Sequence, residues 1–118
     1  MKIRSITCFY HPGSPHAAQV LGRLANLSKT ARRRFVESGF EVQTVRLATV
    51  PFPLLLEDTS PEKAVALAIG LQNQAFAAGF TYLSLGQALP DVPDSYTLIP
   101  SMLAATRNVF FSGKIATP

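Results

Sequence analysis

The stretch Ala78-Gly79-Phe80-Thr81-Tyr82-Leu83-Ser84-Leu85-Gly86 decides the fold of this chain. It combines a glycine that ends a helix, an uncharged run typical of a buried strand, and a second glycine at a turn. The same order of signals occurs earlier, where Gly39 precedes the run Phe40-Glu41-Val42-Gln43-Thr44-Val45-Arg46-Leu47. Two such transitions predict a chain in which helices and strands alternate.

The rest of the chain extends this alternation. Strands are predicted at residues 3–10, 41–49 and 80–85, and each is followed by a helical pattern. Short connections of this kind imply parallel neighbours joined by right-handed crossovers. We therefore expect a single α/β domain over residues 1–118, with a small, mainly parallel three-stranded sheet, flanking helices and the order β-α-β-α-β-α.

The three helices are predicted from apolar spacing and from their end signals. The first runs from about Pro15 to Ser38 with Ser14 as its N-cap, and the second begins near Ser60 and ends at Gly79. The third is expected between about Ile99 and Gly113, with Pro100 in its first turn and residues 114–118 as a tail or the start of another element. The first two helices are expected to face the core with Val20, Leu24, Leu27, Ala31 and Phe35, and with Ala64, Ala68, Leu71 and Ala75.

Polarity along the strands predicts their places in the sheet. Residues 3–10 have apolar side chains in both alternating sets, which suits a strand inside a sheet. Residues 41–49 form the most polar strand, and an edge position explains that polarity. Residues 80–85 carry no charge and should be interior. The run Leu54-Leu55-Leu56 is expected to cover the sheet end.

Bulk composition predicts apolar surface that this chain alone does not cover. Apolar residues make up 47% of the 118 residues and charged residues 15%, against about 25% charged in ordinary soluble domains. We therefore expect a homo-oligomer, or packing against C-terminal chain that is absent here. The lone Cys8 lies within an apolar strand and is expected to be a core residue.

Several features bear on location. No run approaches the roughly 18 apolar residues of a membrane span, and the first residues lead into a strand without a signal-peptide cleavage site. A single cysteine fits a reducing compartment. These observations predict a cytoplasmic protein with no membrane partner.

The formal charge of +4 raises the question of nucleic-acid binding. Five basic residues lie in the first helix: Arg23, Lys29, Arg32, Arg33 and Arg34. Lys29 and Arg33 fall opposite the apolar stripe, and the arginine triplet is near the helix C-terminus, where cations are favoured. No aromatic residue alternates with them, so a solvated helix face is the preferred interpretation over nucleic-acid binding.

In parallel α/β sheets, ligands bind beyond the carboxyl ends of the strands. The ligand-binding candidates at these ends are His11, Gly13, Ser14, Arg46, Thr49, Gly86 and Gln87. Arg46 could hold an anion together with backbone donors at Gly13 and Ser14. The structural alternatives are a turn role for His11, a solvent-exposed edge position for Arg46 and backbone geometry for Gly86.

Strong catalytic motifs are absent from the sequence. There is no Gly-x-Gly-x-x-Gly, no phosphate loop ending in Gly-Lys-Ser/Thr and no Gly-x-Ser-x-Gly. His11, His16 and Cys8 are too few for a metal site without acidic neighbours. No metal is therefore predicted, and the sequence names no catalytic residue or cofactor and leaves open whether the protein is an enzyme.

Three segments carry a resemblance to a known family. They are residues 2–7, residues 39–49 with Pro51-Phe52-Pro53, and residues 82–86, and Gln43-Thr44-Val45-Arg46-Leu47-Ala48-Thr49 is the most specific. They resemble the opening of an uncharacterised bacterial family, domain of unknown function seven-one-one. The resemblance implies a longer protein with a pyruvate formate-lyase-like α/β barrel, of which this chain is the N-terminal portion or a short relative. No radical glycine or catalytic residue carries over.

Two functions follow as hypotheses. The first is a non-catalytic assembly or oligomerisation domain of that uncharacterised family. The alternative is a binding protein for a small anionic metabolite, or part of an enzyme, with its site at the carboxyl ends of the strands.

Overall fold

The computed structural model, which describes residues 1–115, contains four strands that alternate with three α-helices. The strands are β1 (Lys2–Tyr10), β2 (Glu41–Thr49), β3 (Tyr82–Ala88) and β4 (Val109–Gly113). The helices are α1 (Ala17–Glu37), α2 (Pro61–Ala77) and α3 (Ser95–Ala105), and a short 3-10 helix, Phe52–Leu55, follows β2. All pairings are parallel, in the order β1-β2-β3-β4. The α/β class and the parallel sheet are confirmed.

The predicted three-stranded sheet is wrong, because the described residues form a fourth strand. The expected third helix breaks into α3, which ends at Ala105, and β4. Asn108, at φ 55°, turns the chain between them, and the run Val109-Phe110-Phe111 that follows is the β-branched and aromatic type that favours a strand. Pro100 lies inside α3 rather than in its first turn. Of the predicted tail, residues 116–118 lie outside the described part of the chain.

The positions of the first two strands are the reverse of those predicted. β2, expected at an edge, pairs with β1 on one side and β3 on the other, whereas β1 is an edge of the described sheet. Part of the polarity of β2 has a different cause: Thr44 and Arg46 lie on the face opposite the core residues Val45 and Leu47, which none of the described helices covers. The interior position of β3, between β2 and β4, is confirmed.

Glycines end the first two helices as predicted. Gly39 and Gly79 have φ values of +90° and +94°, the left-handed conformation of a C-terminal cap. After Gly39 the chain folds back, so that the ring of Phe40 meets that of Phe35 at 6.0 Å, edge to face.

The start and the core face of α1 differ from the prediction. Ser14 does not cap the helix; its carbonyl accepts from Ala17 N in the preceding turn, and the N-cap is His16, which makes no side-chain cap bond. Ala25 and Ser28 are the buried residues of α1, while Leu27 is 60% exposed. The helix is therefore rotated relative to its predicted apolar stripe, and part of that stripe faces outward.

The second helix packs as its sequence predicts. Its buried residues are Ala64, Ala68, Leu71 and Ala75. Because these side chains are mostly methyl groups, α2 approaches the sheet and α3 closely. Leu55 and Leu56, after β2, pack on the same core, whereas Leu54 is exposed.

All three helices pack on one face of the sheet. A single cluster joins their buried residues to alternate residues of the strands, including the buried thiol of Cys8, whose core role is confirmed. Its strand members include Cys8, Tyr10, Val45, Leu47, Leu83, Leu85 and Val109. Within residues 1–115, none of the helices has the length and apolar character needed to cross a membrane.

Gly86 holds β3 against the chain that follows β2. Its φ is +75°, and a Cβ added there would lie 2.8 Å from Pro51 Cα and 3.2 Å from the Val50 carbonyl oxygen. The glycine sits at an irregularity in the β3–β4 pairing, between Ser84 and Gln87. Its backbone role, one of the alternatives from the sequence, is therefore supported by both conformation and contact.

Replacing Gly86 with alanine should destabilise the domain by about 2–4 kcal/mol, because backbone strain and a clash with backbone atoms add. Gly39→Ala is the matched control, since Gly39 also has positive φ but has open space around the added Cβ. It should cost about 1–2 kcal/mol. Urea denaturation measures both; equal losses would contradict the close contact at Pro51.

Candidate functional site

One face of the sheet is left uncovered by the helices. Register places Thr7 beside Arg46 and Arg46 beside Tyr82, and places Phe9 beside Ala48, Ala48 beside Ser84 and Ser84 beside Phe110. Residues at paired positions share a face of the sheet. We call this surface the open face and define it by Thr7, Phe9, Arg46, Ala48, Tyr82, Ser84 and Phe110.

The open face exposes aromatic rings. Phe9 is 72% exposed and Phe110 is 49% exposed. The Tyr82 ring lies 5.5 Å from the Phe110 ring, centroid to centroid, at an angle of 37°. Isolated apolar residues are normal on a protein surface, whereas neighbouring rings on one sheet face form an apolar patch, the type of surface from which interaction sites are made.

Arg46 is the charged residue of the open face. Its guanidinium carbon lies 5.4 Å from the centroid of the Tyr82 ring, a cation–π arrangement. Glu41, at the start of the same strand, forms an exposed ion pair with Lys2 at 3.9 Å. Arg46 and the neighbouring rings line a shallow groove of about 280 Å³.

The predicted anion donors at the turn after β1 are already engaged. Gly13 N donates to His11 Nδ1 at 3.0 Å, and Ser14 N donates to the His11 carbonyl oxygen at 3.1 Å. His11 thus organises a surface turn. These bonds leave neither amide free to hold an anion in the geometry that the structure shows.

The remaining candidates do not converge on Arg46. Thr49 lies three residues further along β2, on the helix-covered face, and its hydroxyl donates to the Val50 carbonyl oxygen at 2.7 Å. Gly86 contacts Pro51, and Gln87 pairs with Ser112 of β4. Ligand binding by these residues stays a prediction, and the structure gathers them along the carboxyl edge of the sheet rather than around one point.

A second concave feature lies on the helix side of the sheet. A groove of about 1190 Å³ separates the N-terminal half of α1 from the C-terminal end of α2, and Tyr10 lines it. Tyr10 is only 7% exposed, and its hydroxyl has no hydrogen-bond partner among the described residues. Burial raises the pKa of this hydroxyl, so it remains a protonated donor at neutral pH.

The environment of Cys8 does not activate its thiol. Burial raises the pKa of the Cys8 thiol, which disfavours the reactive thiolate. In residues 1–115 no three His, Cys, Asp or Glu side chains come together as a group that could hold a metal ion.

Sequence reasoning did not identify the aromatic residues that define the open face. Phe110 was placed in a helix, and Phe9 and Tyr82 were treated only as strand residues. Part of this information was in the sequence: Phe9 lies between Cys8 and Tyr10 in β1, so its side chain must point to the opposite face of the sheet from theirs. Identifying the exposed set required the strand order, which the sequence did not provide.

Comparison with protein-family models gives a match over the whole sequence. The family model described as Uncharacterised ACR (DUF711) matches residues 1–118. No curated protein matches the chain.

Replacing Tyr10 with phenylalanine should stabilise the ligand-free domain by about 1 kcal/mol, because it removes a buried hydroxyl that has no partner. A thermal melt should show a rise of about 3–5 °C. Tyr96→Phe is the matched control: Tyr96 Oη donates to the Lys114 carbonyl oxygen at 2.5 Å, so its loss should destabilise. A drop in melting temperature for Tyr10→Phe would contradict the unpartnered hydroxyl.

Proposed function

The chain belongs to this uncharacterised family, and we propose that it acts there as an assembly domain whose open face packs against a second copy of the chain. The observation that carries this proposal is the exposure of Phe9 and Phe110 on a parallel sheet with helices on one side only. Parallel sheets occur almost only with both faces covered. Association with a second copy covers the exposed face of the sheet.

The chemistry of the open face suits a protein interface. Aromatic residues and arginine are enriched among the residues that dominate binding energy at such interfaces. Full burial of one phenylalanine side chain contributes about 1.5–3 kcal/mol. Thr7 and Ser84 add hydroxyls that can bond across the contact. Arg46 carries the charge of this face, and the rings of a second copy offer it a desolvated cation–π partner.

The strand order adds a more specific form of the same proposal. Consecutive β/α units of a barrel have parallel strands in chain order and helices on the outer face. We propose that β1 and β4, the two edges of the described sheet, pair with the edge strands of the second copy to continue such a barrel. The open face would then become the barrel interior, which side chains fill.

The oligomeric state tests the proposal. Light scattering coupled to size-exclusion chromatography should show a mass that rises from monomer towards dimer over about a hundredfold range of protein concentration. Phe9→Ser combined with Phe110→Ser should hold the chain as a monomer over the same range, because the apolar contact is lost.

Leu54→Ser is the control for this experiment. Leu54 is 61% exposed but lies in the 3-10 helix, outside the open face, so this variant should still dimerise. Circular dichroism confirms that each variant is folded. A wild-type chain that stays monomeric at every concentration, or a double variant that dimerises normally, would overturn the proposed function.

A further inference from the structure

The charge of Arg46 is unmatched among the described strand residues that share its face of the sheet. The register extends this face towards both ends of the strands with uncharged residues: Ile3, Ser5, Val42, Thr44, Gln87 and Ser112. The ion pairs formed within residues 1–115 do not include Arg46. Its guanidinium therefore has the Tyr82 ring as a neighbour but no carboxylate.

A second copy of the chain, packed on the open face, turns this exposed charge into a buried one. In a symmetric pair each copy brings the same surface to the contact. The enclosed space then receives two Arg46 side chains and no carboxylate from the strand residues that line it. Burying a charge without a counterion is strongly unfavourable. An anion beside each guanidinium removes this penalty.

The groove of about 280 Å³ beside Arg46 also contains hydroxyl groups. Thr7 lies next to Arg46 on β1, and Ser84 lies on β3, one pair further towards the carboxyl ends of the strands. All three residues can meet a molecule in the groove, because Thr7 and Arg46 are exposed and Ser84 is half-buried. Ser84 Oγ accepts a long hydrogen bond from Gly86 N at 3.4 Å, which leaves its hydroxyl proton free to donate.

A carboxylate is the anion that suits this arrangement. The N–H donors of a guanidinium form a planar fork that matches the two oxygens of a carboxylate. Hydrogen bonds between such charged groups are stronger than those between neutral groups. The hydroxyl groups of Thr7 and Ser84 can donate to the remaining lone pairs of the same oxygens.

The row of side chains next to Arg46 favours an aromatic body on the ligand. Across the four strands this row reads Phe9, Ala48, Ser84 and Phe110. The two central side chains are short, whereas the phenylalanines on either side are 72% and 49% exposed. Strand spacing puts roughly 14 Å between the Cα atoms of the phenylalanines, which leaves room for a flat ring. Aromatic rings pack favourably against one another in offset or edge-to-face contacts.

We propose, on the basis of the proposed function, that each open face binds a small aromatic carboxylate, which the second copy encloses. The carboxylate accepts hydrogen bonds from Arg46, Thr7 and Ser84, and the ring of the ligand lies between the two phenylalanines. Binding neutralises the charge that assembly buries, so the ligand strengthens association. Arg46 keeps the anion-binding role predicted for it, with Thr7 and Ser84 in place of Gly13 and Ser14.

Benzoate, neutral benzamide and acetate are the probes. Analytical ultracentrifugation of the full chain, at constant ionic strength, measures the dissociation constant of the dimer with each of them. Benzoate should lower this constant by about tenfold or more at a concentration about ten times its own dissociation constant, because both sites of the dimer contribute. Benzamide lacks the charge and acetate lacks the ring, so each should change it by less than about twofold.

Two substitutions test the role of Arg46. Arg46→Gln should abolish the effect of benzoate, because the charge that needs a counterion is gone. Arg4→Gln is the matched control: it removes the same charge from an exposed residue of β1. Arg4 shares the face of Cys8 by strand alternation, so this variant should keep the full benzoate response. Amide NMR of the wild-type dimer should show saturable benzoate shifts at Thr7, Arg46 and Ser84.

Failure of the site and failure of the assembly give different results. A wild-type chain that stays monomeric with and without benzoate overturns the proposed function and, with it, the site. A chain that dimerises equally well with benzoate, benzamide and acetate keeps the assembly and overturns the site. A benzoate response that Arg46→Gln and Arg4→Gln share also overturns the site, as do benzoate shifts confined to the groove between α1 and α2.

Discussion

The structure depends on one constraint: all three helices cover the same face of a parallel sheet. Consecutive parallel strands in the order β1-β2-β3-β4 bring every connecting helix to one side, where a single core joins them to Cys8, Leu47 and Leu83. The opposite face keeps Phe9 and Phe110 in solvent. The strands accordingly carry apolar side chains on both faces, which contributes to the low charge content of the chain.

Local signals were enough to predict much of the fold. Gly39 and Gly79 mark the ends of two helices because their backbones adopt positive φ, and the alanine stripe of α2 has an unambiguous period. The fourth strand was missed because the segment before it also fits a helix. β2 was misplaced because polarity has two causes, an edge position or an open face, and only the strand order distinguishes them.

The candidate sites were less accessible to sequence reasoning. The sequence placed its candidates at the carboxyl ends of the strands, and the start of α1 follows the first of these ends. Hydrogen bonding distinguishes the backbone amides there, however: His11 engages those of Gly13 and Ser14, whereas those of Ala18 and Gln19 have no partner within residues 1–115. The unpartnered hydroxyl of Tyr10 depends on tertiary packing around a buried side chain, and no pattern of residue types reports it.

Solvent access to the open face tests the central claim most directly. A soluble paramagnetic agent broadens NMR signals of protons that meet solvent. The account predicts that the ring signals of Phe9 and Phe110 are broadened in dilute protein and become protected as the concentration rises, while the methyl signals of exposed Leu54 remain broadened throughout. Phe9 and Phe110 rings that stay fully broadened at the highest concentration would show that the face has no cover in solution, and would contradict the account.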